Sequence, residues 1–196
     1  MRRAWWIVVF VLAIMGGIAV WQHSRQSMGS YATFTSDHLK VRFDYPQGWT
    51  VREAPTPTGR IEGEVQVFGP RREDLAYSLS LDVAAESVAP PAGRSVGLKD
   101  SVDASLALRR KLPSYHILEQ TPVRCAGQSA LRLLASYRLP LPLDAAKRKN
   151  VELREAIVYW LRGGQLFRLT YTAPAEDFAQ HQHAFERFVK SFAFLP

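Results

Sequence analysis

The sequence predicts an α+β domain in which an antiparallel β-sheet packs against one helix from the middle of the chain and one from its end. Three observations give this prediction. Short runs of alternating apolar and polar residues recur from Thr33 onward, separated by turn residues. One helical segment interrupts these runs, and a second, with apolar residues at helical spacing, closes the chain.

The strands of the first half are bounded by proline and glycine. The first ends at Pro46 and Gly48, and its alternating apolar residues are Leu39, Val41, Phe43 and Tyr45. Trp49 and Val51 open the next strand. Two further runs are predicted around Val65–Val67 and Tyr77–Val83.

The second half begins with a helix predicted over Leu98–Leu112, which Pro113 ends. Four strands follow, near residues 115–121, 129–138, 151–161 and 165–173. Gly163 and Gly164 indicate a tight hairpin turn, because glycine accepts the positive φ that such turns require. The final helix, over Ala175–Phe192, places five apolar residues on one face: Phe178, Phe185, Phe188, Val189 and Phe192.

A hydrophobic segment precedes this domain. Residues 4–21 carry no charge, and a helix of that length measures about 27 Å, enough to cross a hydrocarbon core. Tryptophans lie at both ends, and Arg2 and Arg3 favour a cytoplasmic N-terminus. We expect a transmembrane signal anchor over residues 1–21, a polar tether over 22–32 and the α+β domain over 33–196. A signal peptide cleaved after Ala19 is the alternative, and both interpretations place the domain outside the cytoplasm.

Composition excludes several kinds of site. The formal net charge is +7, but the densest basic run, Lys147–Lys149, lies in a predicted loop, so we expect no nucleic-acid partner. The single cysteine, Cys125, permits no intramolecular disulfide. His181 and His183 lie two residues apart on a predicted helix, about 200° around it, so they do not converge on a metal.

No catalytic constellation emerges from the motifs. Residues 127–131 begin like a nucleophile elbow, but the fifth position is Leu131 and no strand–turn–helix context follows. We therefore predict no catalytic, cofactor-binding or metal-ligating residues. One basic feature remains. Arg132 and Arg138 lie an even number of residues apart on one predicted strand, so they share a face of it, and Arg168 lies on another strand. If these strands neighbour each other in a suitable register, the three arginines form a basic strip for an anionic partner; the alternative is a solvated sheet face.

Three local strings are similar to strings that mark one family of domains. The string Phe43–Trp49 looks like the opening "F-x-Y-P-x-G-W" of these domains, and residues 127–130 are similar to their "G-x-x-A" turn. The ending, Leu169–Ala173 followed by Phe188 and Ser191-Phe192, is similar to their "L-T-Y-x-A … F … I-x-x-S-F" signature. The sequence thus resembles the PsbP-like family, which includes DcrB-like and LpqN-like exported proteins. The resemblance spans roughly residues 33–192 and implies an αβα sandwich. Many bacterial members are lipoproteins, whereas this chain has no lipobox cysteine.

The resemblance and the export segment together give the expected function. We expect a non-enzymatic accessory domain at the bacterial plasma membrane, single-pass, with its C-terminal domain in the periplasm. Its expected partners are the membrane, through the N-terminal helix, and an envelope protein or anionic envelope component. The alternative is a hydrolase-like envelope enzyme with a site assembled from distant loops. A deep pocket lined by convergent polar groups would favour that enzyme.

Overall fold

The computed structural model describes residues 29–54, 61–88, 96–143 and 146–196. Residues Ala32–Pro196 form one compact unit. The helices are α1 (Leu98–Arg109) and α2 (Phe178–Ser191). The strands are β1 (Tyr31–Ser36), β2 (Val41–Pro46), β3 (Thr50–Ala54), β4 (Ile61–Arg72), β5 (Tyr77–Ser87), β6 (His116–Cys125), β7 (Gln128–Leu141), β8 (Lys149–Arg162), β9 (Gln165–Pro174) and β10 (Ala193–Phe194).

Seven strands form one antiparallel sheet in the order β3-β4-β5-β9-β8-β7-β6. The remaining three form a small sheet in the order β1-β2-β10. The helices pack on opposite faces of the large sheet. Residues of one strand that point to opposite faces therefore contact different helices. Leu169 and Tyr171 of β9 join the core beneath α2, whereas Leu166 joins the core beneath α1. The predicted α+β class, with an antiparallel sheet and two helices, is confirmed.

Aromatic packing holds α2 and the small sheet against the large sheet. Phe188 of α2 meets Phe43 of β2 edge-on, with ring centroids 4.7 Å apart. Trp160 of β8 lies against Phe192, 5.1 Å away, and both are almost completely buried. Burial of side chains of this size is the largest stabilising contribution that a domain core offers.

The opening and closing motifs contact each other. The amide of Trp49 donates to the carbonyl of Pro46 at 3.2 Å, and Gly48 has φ +89°, which is the conformation required at the third position of a type II turn. The backbone N–H of Asp44 donates to the hydroxyl of Ser191 at 2.8 Å. The hydroxyl of Tyr171 donates to the carbonyl of Phe178 at 2.9 Å and so fixes the start of α2. The residues that carry the resemblance therefore build the fold.

The ends of both helices differ from prediction. Helix α1 ends at Arg109 rather than Leu112, because the chain enters turns before Pro113. Helix α2 spans Phe178–Ser191 rather than Ala175–Phe192, because β9 continues to Pro174 and the next three residues form a turn.

Two strands of the small sheet were not predicted. Strand β1 begins at Tyr31, inside the predicted tether, and its mixture of threonine and aromatic residues gives little alternation. Strand β10 has only two residues, too few for any period. The predicted anchor lies outside the described residues. Among the helices that are described, none has the length and apolarity needed to span a membrane.

Candidate functional site

The three arginines singled out in the sequence do not lie on one face. Strand β8 separates β7 from β9. Across it, Arg168 aligns with Tyr159 and then Leu131, whereas Arg132 aligns with Val158 and then Leu169. Arg132 and Arg168 therefore lie on opposite faces of the sheet, and the single basic strip expected from the sequence does not form.

Each arginine has its own surroundings. Arg132 faces α2: its guanidinium donates to Glu186 at 2.6 Å and lies 5.9 Å from the centroid of the Phe185 ring. Arg138 lies on the same face of β7 as Arg132 and is exposed near the far end of the strand. Arg168 lies on the α1 face and donates to Glu86 at 2.8 Å. Whether any of them meets an anionic partner stays a prediction.

A cleft opens between α2 and the outer two strands of the large sheet, β6 and β7. It has a volume of about 280 Å³, and its lining mixes polar with apolar side chains. Strand β6 supplies Glu119, Thr121 and Val123, strand β7 supplies Arg132 and Leu134, and helix α2 supplies Phe178 and Gln182.

The polar groups of the cleft form two short chains. On the helix side, Arg132 is held by Glu186, which also accepts a hydrogen bond from Gln182 at 3.4 Å. On the strand side, the hydroxyl of Thr121 donates to Glu119 at 2.9 Å. Glu119 has no ion-pair partner among the described residues. The charged side chains that line the cleft are Glu119 and Arg132, and the charge of Arg132 is already balanced by Glu186.

A second polar region lies beneath α1. The carboxylate of Glu155 is completely buried, and Arg109 of α1 donates to it. Burial alone would lower the pKa of Arg109, but the Glu155 carboxylate raises it above its usual value. This ion pair joins α1 to the centre of the sheet.

A second ion pair lies farther along the same face. The carboxylate of Glu86 accepts from Arg168 at 2.8 Å and from the hydroxyl of Ser105 of α1 at 3.2 Å. Only about an eighth of each charged side chain is exposed. Helix α1 is therefore held by charged contacts as well as by Val102 and Leu106, its two buried apolar residues.

Asp82 is the titratable group of this region whose charge changes near neutral pH. Loss of hydration raises the pKa of its carboxyl from 3.8 to about 7, against the opposing effects of the Ser80 hydroxyl and Arg168. The hydroxyl of Ser80 donates to Asp82 at 3.0 Å. In the sheet, Asp82 pairs with Thr170, whose buried hydroxyl has no hydrogen-bond partner among the described groups.

Sequence reasoning missed this polar region. Asp82 and Glu86 occupy the polar positions of an alternating strand, a pattern that usually indicates a solvated face. A signal was present for Glu155, which directly precedes the continuous apolar run Ala156–Trp160. Such a run is typical of a strand covered on both faces, where a neighbouring charged residue also points into the protein. Within the described ranges, no three His, Cys, Asp or Glu side chains are grouped so as to hold a metal ion.

Comparison with known proteins supports the fold. No protein-family model and no curated protein matches the sequence. Among solved structures, cyanobacterial PsbP (CyanoP) from Synechocystis sp. PCC 6803 is 14% identical, with 85% of this chain and 94% of that chain covered and a TM-score of 0.55. The Ran-binding protein Mog1p of Saccharomyces cerevisiae is 14% identical, with 84% and 95% covered and a TM-score of 0.51. Identities this low establish a shared fold and nothing about shared activity. The fold implied by the motif resemblance is thus confirmed: the chain has the PsbP-like fold, which is also that of Mog1.

Proposed function

We propose that this chain is a membrane-tethered, extracytoplasmic domain that binds a protein partner and has no catalytic role. The observation that carries the proposal is the open cleft between α2 and strands β6 and β7. Its lining combines apolar contact area from Leu134 and Phe178 with polar groups from Glu119, Thr121 and Gln182. Protein interfaces commonly combine apolar contact area with a polar rim in this way.

The tether rests on the sequence. The uncharged segment over residues 4–21, with Arg2 and Arg3 before it, would hold the domain at the bacterial plasma membrane on the periplasmic side. A partner in the envelope, or within the same membrane, would then meet the domain at high local concentration. Among proteins with this fold, Mog1p is a Ran-binding protein, so the fold is compatible with protein recognition.

Two measurements test the proposal. Membrane fractionation of cells that express the tagged full chain should recover it with the inner membrane at its full mass. Loss of about 2 kDa would instead indicate cleavage near Ala19. A photo-reactive amino acid at Thr121, inside the cleft, should crosslink a protein partner in intact cells. The matched control is the same amino acid at Leu108, a highly exposed residue of α1. Equal crosslinking from both positions would remove the cleft from the proposal.

The alternative, an envelope hydrolase, is favoured by one observation. Asp82 has a pKa near neutral pH and lies on the same sheet face as the buried Glu155. Such groups are typical of acid–base sites. Glu155 and Arg168 are, however, each already paired with an internal group of opposite charge. If the protein is an enzyme through Asp82, Asp82→Asn should abolish turnover of its substrate, whereas the binding function should survive this substitution unchanged.

A further inference from the structure

The cleft has an open strand edge beside it. Strand β6 is the last strand of the large sheet, and in the described chain no strand pairs with its outer side. The edge is long, with ten residues, and Gln120, Pro122 and Arg124 are exposed. The opposite edge, β3, has only five residues.

The hairpin turn determines which backbone groups of β6 point outward. Ala126 and Gly127 both have positive φ, +47° and +78°, which is the pattern of a two-residue type I′ turn. In such a turn the flanking residues, Cys125 and Gln128, bond to each other, and bonded and non-bonded pairs then alternate along the ladder.

The backbone hydrogen-bonding groups of three residues therefore point away from β7: those of Arg124, Pro122 and Gln120. Pro122 confirms the assignment physically, because a residue without an N–H costs no ladder bond at an outward position. The outward groups are the N–H of Gln120 and of Arg124 and the carbonyls of all three residues. A bulge at Leu118, where Ile117 pairs with Ala135 and Glu119 with Leu134, ends this regular array.

The side chains between these residues point toward the cleft. Glu119, Thr121 and Val123 alternate with the three outward residues and line the cleft from β6. A strand paired with the edge would place its own alternate side chains directly beside them, about 5 Å away. Glu119 carries a charge without an ion-pair partner among the described residues, and Val123 and Leu134 offer apolar surface.

We propose that the partner binds as an extended segment that adds a strand to β6, with a cationic side chain opposite Glu119 and an aliphatic one opposite Val123. This proposal rests on the proposed function, since it specifies how the partner occupies the same cleft. Backbone hydrogen bonds to Gln120, Pro122 and Arg124 supply affinity, and the cleft supplies the choice of side chains.

A matched pair of variants isolates the backbone contribution. Gln120→Pro removes an outward N–H and leaves every ladder bond to β7 intact, so the fold is retained. Gln120→Ala removes the same side chain and keeps the N–H. The probe is a short fluorescent peptide in which threonine alternates with lysine and valine, in two versions that carry N-methyl groups on opposite sets of alternate amides.

Strand addition predicts an asymmetric result, measured by fluorescence anisotropy with the full chain in detergent. One N-methylated peptide binds like the parent and the other loses at least about tenfold in affinity, and Gln120→Pro, but not Gln120→Ala, loses a similar factor. Failure of the parent peptide to bind, or equal binding of both methylated peptides, would overturn the proposal. If Glu119→Lys alone then lowers crosslinking at Thr121 in cells, the cleft still binds a partner and only the strand geometry is wrong. Self-association of the purified chain that Gln120→Pro abolishes would assign the edge to a second copy and overturn the partner segment.

Discussion

The two faces of the large sheet are built from different chemistry. On the α2 face the contacts are aromatic, with Phe188 and Phe192 of the helix region meeting Phe43 and Trp160. On the α1 face, the ion pair between Arg109 and Glu155 joins the helix to the sheet. Ser105 of α1 also donates to Glu86, and Val102 and Leu106 are the buried apolar residues of α1. One strand serves both faces: Tyr171 of β9 lies in the aromatic core, and its neighbour Thr170 lies in the polar region.

This difference means that the two faces contribute differently to the stability of the fold. Apolar burial stabilises the fold directly, whereas a buried ion pair must first recover the hydration that its charges lose. The aromatic face should therefore tolerate little change, and the ionic face should tolerate replacement of a whole pair. The cleft that we propose as the partner site lies on the aromatic face, between α2 and strands β6 and β7.

The largest effect is expected in the aromatic core. Phe188→Ala should lower the free energy of unfolding by about 3–5 kcal/mol, because the side chain is completely buried and its removal leaves a cavity. Denaturant unfolding measures the change. The control, Phe188→Leu, should cost about 1 kcal/mol. A loss below about 1 kcal/mol for the alanine variant would mean that the aromatic face does not hold the fold together.

The ionic face should respond differently to single and paired changes. Glu155→Gln leaves Arg109 without its countercharge and should cost about 3 kcal/mol. The double variant Arg109→Met/Glu155→Met should lie within about 1 kcal/mol of the wild-type protein, because both charges leave together. If the double variant is as unstable as the single one, the ion pair itself, and not its balance of charge, holds α1.

The pH dependence of stability should trace to Asp82. Its pKa in the folded protein, about 7, lies above the ordinary value of 3.8, so the folded state binds the proton more tightly. The wild-type free energy of unfolding should therefore fall as the pH rises from about 4 to about 7. Asp82→Asn should remove this dependence and stabilise the protein by about 2 kcal/mol at pH 8, with little effect at pH 4; the full shift corresponds to at most about 4 kcal/mol, which partial solvent contact reduces. If the free energies of unfolding of the two proteins differ by the same amount at every pH, the assignment to Asp82 is contradicted.

The smallest effects come from adjacent residues of β9. Tyr171→Phe removes the hydrogen bond to the carbonyl of Phe178 and should cost about 1 kcal/mol. Thr170→Val removes a buried hydroxyl without a partner and should be neutral or stabilising by up to about 1 kcal/mol. Thermal unfolding of both variants gives the comparison, and a destabilised Thr170→Val would show that this hydroxyl does have a partner in solution.

Much of the fold could be predicted from the sequence, because its signals are local. Proline and glycine at Pro46 and Gly48 indicate the turn there, and the run from Phe167 to Ala173 alternates apolar with polar residues, which is typical of a strand. The end of α1 was harder, since Arg110 to Leu112 continue the helical pattern although the chain turns. The motifs that gave the resemblance predicted the architecture well, because Asp44, Ser191 and Tyr171 hold it together.

The candidate site could not be predicted in the same way, because it depends on register between distant strands. The positions of Arg132 and Arg168 within their own strands do not reveal whether they share a sheet face until the pairing through β8 is known. The cleft likewise depends on how far α2 reaches across the sheet. The polarity of Glu119 and Thr121 in the sequence does not distinguish a cleft wall from an ordinary solvated strand.

The most direct measurement compares one charge reversal on each face. In cells that carry the photo-reactive amino acid at Thr121, Glu119→Lys reverses a charge in the cleft, and Asp103→Lys makes the same change on the exposed side of α1. The crosslinked complex should disappear with Glu119→Lys and persist with Asp103→Lys, at equal levels of membrane-bound protein. Persistence of the complex with Glu119→Lys, or its loss with both variants, would contradict a partner bound at the cleft.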